Sequence, residues 1–256
     1  MKCCVVTVAT TVLLAFHFSN CKCQTTVDLE LPSGTLWASC NVGGTNAWDY
    51  GDYYAWGETV LHYSNTPTFT WKTGFEDGFT WDTYKYATNR YTGLTKYCSS
   101  AAYGKAGYTD ALTSLQPDDD AAQTAWGDDW VIPTYKQWRE LSQECYWAWT
   151  DNYNNKNRKG YIVYKVKNNK DKGKKSGGAV ASYSINNDTH IFLPASGCYV
   201  STDIQKRGSY GYYWTATLNK ENPSFAYDVF FEKNSVKDGD LSRRYDGQPI
   251  RPVKKQ

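Results

Sequence analysis

The body of the sequence has no long apolar run. Its mean hydropathy is -0.66 and 21% of its residues are charged, which excludes a protein embedded in a membrane. One uncharged, mostly apolar segment, residues 5–18, follows Lys2 and is too short to span a bilayer comfortably. A segment of this length behind a positive charge is typical of a signal peptide. We therefore expect residues 1–23 to be an export signal.

Two cleavage sites fit this signal. Cleavage before Cys21 would give a lipid-anchored protein, and cleavage after Cys23 would leave Gln24 at the new N-terminus. Asn20 departs from the small residue that normally precedes a lipidated cysteine, so lipidation is the less favoured alternative. We expect an exported protein, extracellular or at the cell surface, whose only membrane contact would be through such a lipid.

Metal-ligand patterns are also missing. After the signal, no two cysteines form a CxxC pair and only His62 and His190 remain, so we expect no metal site. His190 precedes an apolar strand and is interpreted as a strand residue with a satisfied hydrogen bond. The remaining cysteines could form zero, one or two disulfides, and the sequence leaves their pairing open: Cys40, Cys98, Cys145 and Cys198.

Catalytic motifs are absent as well. The sequence has no GxSxG, no HExxH, no GxxxxGK[ST] and no glycine-rich dinucleotide loop after a strand. We therefore predict that the protein is not an enzyme and has no catalytic residue and no cofactor. A glycan-acting hydrolase needs only a pair of carboxylates, which sequence cannot exclude, so it stays as an alternative.

Aromatic residues, in contrast, are abundant, with 11 Trp, 22 Tyr and 9 Phe. They must fill a core, cover a binding surface, or do both. The length fits one large domain and no stretch reads as a linker, so we expect a single domain over residues 24–256. Residues 154–175 carry nine Lys or Arg against one Asp, and we expect a basic hairpin with a flexible turn near residues 154–178.

Two helices are predicted from capping patterns. Pro117 and the three aspartates after it place acidic groups at the start of the run AAQTAWG, where they favour the positive end of a helix. Capping explains these aspartates without calcium. Thr134 and Gln137 form a capping box, and Trp138, Leu141 and Cys145 recur on one face of the helix that follows.

The rest of the chain predicts strands and ordered loops. Short apolar pieces alternate with turn residues over residues 27–58, and residues 60–108 show no helical period. Further on, strands are predicted at residues 161–167, 179–185, 191–194, 212–218, 225–231 and 249–253.

Several blocks of the chain resemble a known family. VDLELPSGTLWASCNVG, DYGDYYAWGET, DDDAAQTAWGDDWVIPTYKQWREL, IFLPASG, GYYWTAT and IRPV occur in an order that is similar to the Fibrobacter succinogenes major paralogous domain family. These proteins are common in gut Bacteroidetes and are related to the formylglycine-generating-enzyme (sulfatase-modifying) branch of the C-type-lectin-like fold. The resemblance covers nearly all of the chain after the signal.

The resemblance implies an α+β domain with two helices packed on twisted antiparallel sheets, in which the first and last strands meet and long ordered loops supply a binding face. Catalytic members of the wider superfamily need a reactive cysteine pair near the C-terminus or a histidine-rich iron site. This chain has only Cys198 in that third and two histidines in all after the signal. The resemblance therefore implies a binding module.

A ligand face is predicted in the last third of the chain. Rigid aromatic side chains, arginines and short amides are the residues that recognition surfaces use, because they provide contact area at little entropic cost. We expect the following residues to be exposed and to converge on one surface: Arg207, Tyr210, Tyr212, Asn219, Asn222, Arg243 and Tyr245.

The expected partner is a surface glycan or an extracellular protein. Polyanion binding through the lysine-rich hairpin is an alternative. The hairpin is expected instead to be a solvated loop, since Tyr161 and Tyr164 lie on its flanking strand, and nucleic acid is not an expected partner. The sequence leaves the oligomeric state open.

Overall fold

The computed structural model of the chain describes residues 24–88, 90–178 and 185–256. Within these ranges, none of the helices has the length and apolar character needed to cross a membrane.

Both helices begin where their capping residues predict. Helix α1, Ala121–Trp126, is capped by Asp120, whose carboxylate accepts hydrogen bonds from the backbone N–H groups of Ala122 and Gln123. Helix α2, Tyr135–Glu144, starts with the complete Thr134 and Gln137 capping box. Both helix predictions are confirmed.

Most of the regular structure is strand. In the described part of the chain the strands are β1 (Thr26–Asp28), β2 (Leu36–Ala38), β3 (Tyr63–Ser64), β4 (Thr70–Trp71), β5 (Trp130–Val131), β6 (Tyr146–Thr150), β7 (Gly160–Val166), β8 (Lys175–Ser176), β9 (Ile185–Pro194), β10 (Cys198–Val200), β11 (Asp203–Gln205), β12 (Gly211–Leu218), β13 (Phe225–Glu232), β14 (Ser235–Arg243) and β15 (Val253–Lys254).

The strands form mostly antiparallel sheets. The larger ones have the orders β1-β2-β15-β5, β8-β6-β7-β9 and β12-β13-β14, and β3-β4 and β10-β11 form two-stranded ribbons. The last strand, β15, lies next to β2, so it is separated from β1 by one strand. The architecture is therefore mixed α+β, with two short α-helices among mostly antiparallel sheets.

Two strand predictions need correction, and a third is not tested. Residues 191–194 are the end of the ten-residue strand β9, which pairs along β7, and of residues 249–253 only Val253 belongs to a strand. The predicted partner strand at residues 179–185 lies outside the described residues apart from its last position.

The lysine-rich segment is not a simple hairpin. Strand β7 is central in its sheet, and the chain then turns through Asn169–Asp171 to form β8, which pairs in parallel with β6. Hydrogen bonds from Trp147 N to Lys174 O (2.9 Å) and from Gly173 N to Cys145 O (3.1 Å) fix this turn. The turn is thus an ordered edge of the sheet, because its backbone groups are paired.

Two aromatic cores lie on the two sides of the sheet β12-β13-β14. Tyr213 of β12 belongs to the first core, together with Trp138 of α2 and Trp147 of β6. Trp214, the next residue, belongs to the second core, which includes Trp56 and the aromatic residues of the long irregular segment. Successive side chains of a strand point to opposite faces, so one strand supplies both cores.

Candidate functional site

A cleft of about 310 Å³ lies beside the C-terminal end of β14. We call it the aromatic cleft, and it is lined by Trp81, Tyr91, Tyr103, Asn222, Ser224, Phe225 and Arg243.

The aromatic wall of the cleft comes from the irregular segment at residues 60–108. Tyr91 is 52% exposed, and its ring centroid lies 6.2 Å from that of half-buried Tyr103. Trp81 is also half-buried, and its ring meets the edge of Tyr245 with 5.0 Å between centroids. Exposed aromatic rings held by neighbouring rings provide a rigid apolar surface for a ligand.

Local hydrogen bonds hold this wall in place. Thr83 Oγ1 donates to the carbonyl of Gly78 (2.7 Å) and accepts from the backbone N–H of Thr80 (3.0 Å), which fixes the turn that carries Trp81. A turn from Arg90 to Gly93 carries Tyr91, closed by the N–H of Gly93 donating to the carbonyl of Arg90 at 3.0 Å. These threonine and glycine turns explain how a segment without strand or helix period presents ordered side chains.

The polar wall of the cleft comes from the loop between β12 and β13 and from the end of β14. Asn222 Oδ1 accepts from both the N–H (3.1 Å) and the hydroxyl (2.5 Å) of Ser224, which orients the amide. Its Nδ2 donates to no other described residue, so it is free to donate to a ligand. Arg243, the last residue of β14, is exposed and forms no ion pair with a described carboxylate.

A buried arginine joins the two walls. Arg244 is fully buried, and its guanidinium donates to the carbonyls of Lys96 (3.0 Å), Tyr97 (3.1 Å) and Pro223 (3.0 Å). Its Nε donates to the hydroxyl of Tyr84 (2.9 Å). The segment that carries the aromatic wall and the loop that carries Asn222 are therefore hydrogen-bonded to one side chain.

Asp119 anchors the same segment to the turn before α1. Its carboxylate accepts hydrogen bonds from Tyr86, Tyr97 and Lys96. Burial alone would raise the pKa of Asp119, but these hydrogen bonds outweigh it and the pKa lies below its usual value. The carboxylate is therefore ionised at neutral pH and stabilises the base of the aromatic wall.

The structure divides the seven predicted ligand residues among three places. Asn222 and Arg243 line the aromatic cleft, and Tyr245 supports it by packing on Trp81. Asn219 is buried, 7% exposed, because its Oδ1 accepts from the backbone N–H groups of Glu221 (3.0 Å) and Asn222 (3.4 Å). The prediction that Asn219 is exposed is wrong, since its amide shapes the loop.

The other three predicted residues lie away from the aromatic cleft. Tyr210 and Tyr212 are half-buried and pack on Phe230, with ring centroids 5.3 and 5.1 Å apart. Arg207 is exposed and donates from Nη2 to the hydroxyl of Tyr53 at 3.2 Å. None of the three lines the aromatic cleft, so the expected single surface containing all seven is not formed.

Sequence reasoning missed the aromatic wall. Trp81, Tyr91 and Tyr103 lie in a segment interpreted only as an ordered loop, and none of them neighbours a catalytic or binding motif. The available signal was the combination of tyrosines with the turn residues Thr, Ser and Gly over residues 88–104, a composition that also marks recognition loops.

The described cysteines and carboxylates provide no metal centre. No group of three or more His, Cys, Asp or Glu side chains in the described ranges is placed to hold a metal ion. Cys40 is disulfide-bonded, whereas Cys98, Cys145 and Cys198 are free and buried. Burial raises the pKa of Cys145 and of Cys198 to about 12, so both are protonated at neutral pH and are poor nucleophiles.

Carboxyl groups with raised pKa values lie in the interior. Burial raises the pKa of Asp120 to about 6. The carboxyl group of Asp120 accepts hydrogen bonds from the backbone N–H groups of Ala122, Gln123 and Ile132. Burial likewise raises the pKa of Asp228 and of Asp246 to about 7. None of these groups lines the aromatic cleft, whose lining contains no carboxylate and no histidine.

No protein-family model, curated protein or solved structure matches the chain.

The aromatic cleft therefore combines two chemical properties. Its exposed rings can stack on an apolar ligand face, while Arg243 and the Asn222 amide can donate hydrogen bonds to the ligand's oxygen atoms. A sugar ring has such an apolar face and hydroxyl groups around its rim.

Proposed function

We propose that this chain is an exported or cell-surface ligand-binding module of the C-type-lectin-like kind, not an enzyme, and that it binds a glycan in the aromatic cleft. The observation that carries the proposal is the exposed ring of Tyr91, held beside Tyr103 and Trp81 and facing a cleft whose polar groups are Arg243 and Asn222.

The rigidity of the cleft supports recognition. Arg244 and Asp119 hold the loops of the aromatic wall in the absence of any ligand. A surface that is ordered before it binds loses little conformational entropy on binding.

The composition of the cleft supports binding without catalysis. A glycoside hydrolase places an acid and a second carboxylate on either side of the scissile bond. The lining of the aromatic cleft offers neither, and the hydroxyl of its serine, Ser224, donates to Asn222.

The α+β architecture is compatible with membership in the Fibrobacter succinogenes major paralogous domain family, which the sequence blocks suggest. Its two helices, its antiparallel sheets and the position of β15 beside β2 are the features on which this part of the proposal rests. Export of the protein, with removal of residues 1–23, belongs to the same proposal.

The proposal is tested by probing arrays of glycans and of extracellular proteins with the protein purified after export. We expect glycan hits, and we expect Tyr91→Ala and Arg243→Ala each to weaken the strongest hit by about 1 to 3 kcal/mol, as loss of an anchor residue does. Melting temperatures should barely change, since both side chains are exposed.

Tyr108→Ala is the matched control, because Tyr108 is 39% exposed and lies outside the cleft lining. Glycan hits that all three variants weaken equally, or hits confined to proteins, would contradict glycan binding in the aromatic cleft.

A further inference from the structure

A second group of side chains on this molecule has the chemistry of an anion site. Tyr50 lies between two arginines, with its ring centroid 4.8 Å from the guanidinium carbon of Arg158 and 5.1 Å from that of Arg207. Lys156 lies over the nearby Trp48 ring, 5.3 Å from its centroid. We call Lys156, Arg158 and Arg207 the basic cluster. Both guanidinium groups contact the same ring, so the two arginines are neighbouring cations around Tyr50.

The basic cluster is built from three ordered loops. Asp49 Oδ2 accepts from the backbone N–H groups of Thr45 (2.9 Å) and Asn46 (2.8 Å), which fixes the turn that carries Trp48 and Tyr50. Although partial burial raises it, the pKa of Asp49 lies below its usual value because these hydrogen bonds stabilise the carboxylate. The carboxylate of Asp49 therefore forms its hydrogen bonds within its own turn.

The two loops that carry the cations are also fixed. Between β6 and β7, the N–H of Tyr153 donates to the carbonyl of Arg158 (2.9 Å), and the Tyr153 ring stacks on Phe192 with centroids 4.0 Å apart. After β11, Arg207 donates to Tyr53, whose own hydroxyl donates to the carbonyl of Ser196 at 2.6 Å. The cations are thus held in position before any ligand binds.

The charges of the basic cluster are not neutralised. Within the described ranges, none of its three cations forms an ion pair with a carboxylate. Arg158 Nε is buried and has no hydrogen-bond partner among those residues. Arg158 as a whole is half-buried, so the described residues leave part of its hydrogen-bonding capacity unused.

Three other basic residues of the lysine-rich segment do form ion pairs with carboxylates. Lys165, Lys172 and Lys174 pair with Glu30, Glu144 and Asp171, in that order. The positive charge of the lysine-rich segment is therefore partly compensated, while that of the basic cluster is not.

A second cleft, of about 340 Å³, adjoins Arg207. Phe69, which is 45% exposed, stacks on Tyr63 at its wall with ring centroids 5.1 Å apart, and Asn65 is exposed beside it. An aromatic face and an amide next to an arginine fit a sugar ring that carries an acidic group.

We propose that the basic cluster and this second cleft form a binding site for an acidic glycan, in which Arg158 and Arg207 bind carboxylate or sulfate groups along the sugar chain. The site does not depend on the aromatic cleft. Nucleic acid is disfavoured, because single-stranded nucleic acid requires a positive groove that follows its backbone over several nucleotides. Three lysines of the lysine-rich segment that could extend such a groove, Lys165, Lys172 and Lys174, are paired with carboxylates.

The experiment measures binding of the full-length protein to matched polymers. Polygalacturonate is compared with its full methyl ester, dextran sulfate with dextran, and single-stranded DNA is a separate arm. We expect binding to one or both acidic glycans, with the preferred one identifying carboxylate or sulfate as the group bound, and no binding to either neutral polymer. Affinity should fall as salt is raised, because salt screens exposed charges.

Arg158→Ala and Arg207→Ala should each weaken this binding about tenfold, the effect expected for loss of a charge-assisted hydrogen bond. Lys136→Ala removes one exposed cation from α2 and is the matched control, and Tyr91→Ala tests independence from the aromatic cleft. Both controls should bind as the wild type does. If Arg158→Ala or Arg207→Ala lowers the melting temperature, the same binding test is made with Lys156→Ala and Arg207→Lys.

Three results would overturn the proposal. They are absence of binding to both acidic polymers at low salt, equal weakening by Lys136→Ala, and tighter binding of DNA than of either glycan. Two other results concern only the aromatic cleft and do not contradict the acidic site. They are failure of neutral glycans to bind, and an effect of Tyr91→Ala on the binding of neutral glycans alone.

Discussion

Adjacent arginines at the end of β14 have opposite environments. Arg243 is exposed at the aromatic cleft, whereas Arg244 is fully buried and donates to three carbonyls and the Tyr84 hydroxyl. The strand ends at Arg243, and Arg244 begins the turn that follows, where its side chain enters the core. Neighbouring identical residues therefore have different environments.

This difference predicts that substituting the two arginines has unequal effects on the free energy of unfolding. Arg244→Ala should lower the free energy of unfolding by more than about 3 kcal/mol, because it leaves a cavity and unpaired buried carbonyls. Arg243→Ala should leave it nearly unchanged. Urea denaturation of both variants checks this, and equal stability of the two would show that Arg244 does not hold the cleft together.

Asp228 predicts a dependence of stability on pH. Burial raises its pKa to about 7 in the folded protein, from the ordinary 3.8, and nearby Asp240 raises it further. Its Oδ2 accepts from Ser242 (2.8 Å) and Gln248 (2.9 Å), while Oδ1 has no partner among the described residues. The folded state therefore binds more protons than the unfolded state between about pH 4 and pH 7.

Because of this difference, the free energy of unfolding falls as the pH rises from about 4 to about 7, and the loss is complete above pH 7. Asp228→Asn cannot ionise, so the variant should gain roughly 2 kcal/mol relative to the wild type between pH 5 and pH 8. Denaturation at the two pH values measures the gain. A difference between the proteins that stays constant with pH would mean that Asp228 is not protonated in the fold.

At the scale of elements, capping chemistry was the most reliable signal in the sequence. Thr134 with Gln137, and Asp120 before AAQTAW, act through residues two to three positions away, so the sequence alone identifies them. Strands β12 and β13 were likewise located from their local patterns.

Elements that depend on distant contacts were not recovered. Aspartate side chains are mostly exposed, yet Asp228 of β13 is fully buried and donors from other segments, Gln248 and Ser242, hydrogen-bond to it. The wall of the aromatic cleft is held by Arg244, more than a hundred residues away in the chain. Local propensity contains no information about such contacts, so the cleft could not be predicted.

The edge strand β8 gives a prediction at this scale. Deleting residues 168–177 should lower the melting temperature by several degrees, because it removes β8, the buried Asp171 and the carbonyl of Lys174 that accepts from Trp147. Lys170→Ala, an exposed change in the same turn, should have no effect. A deletion variant as stable as the wild type would restore the interpretation of the segment as a passive loop.

At the scale of the whole molecule, the two aromatic cores share the sheet β12-β13-β14. The second core supports the aromatic cleft through Tyr84 and Tyr97, which contact Arg244. The abundance of aromatic residues is thereby explained, since most of them fill the two cores and a few form the cleft wall.

We propose that Trp81, Tyr91 and Tyr103 form a glycan-binding surface with Arg243 and Asn222. The decisive test is a crystal structure of the exported protein with the oligosaccharide that binds most tightly on an array. We predict a sugar ring stacked on Tyr91 with its hydroxyl groups hydrogen-bonded to Arg243 and Asn222. A sugar bound elsewhere on the molecule, with the aromatic cleft empty, would contradict the claim.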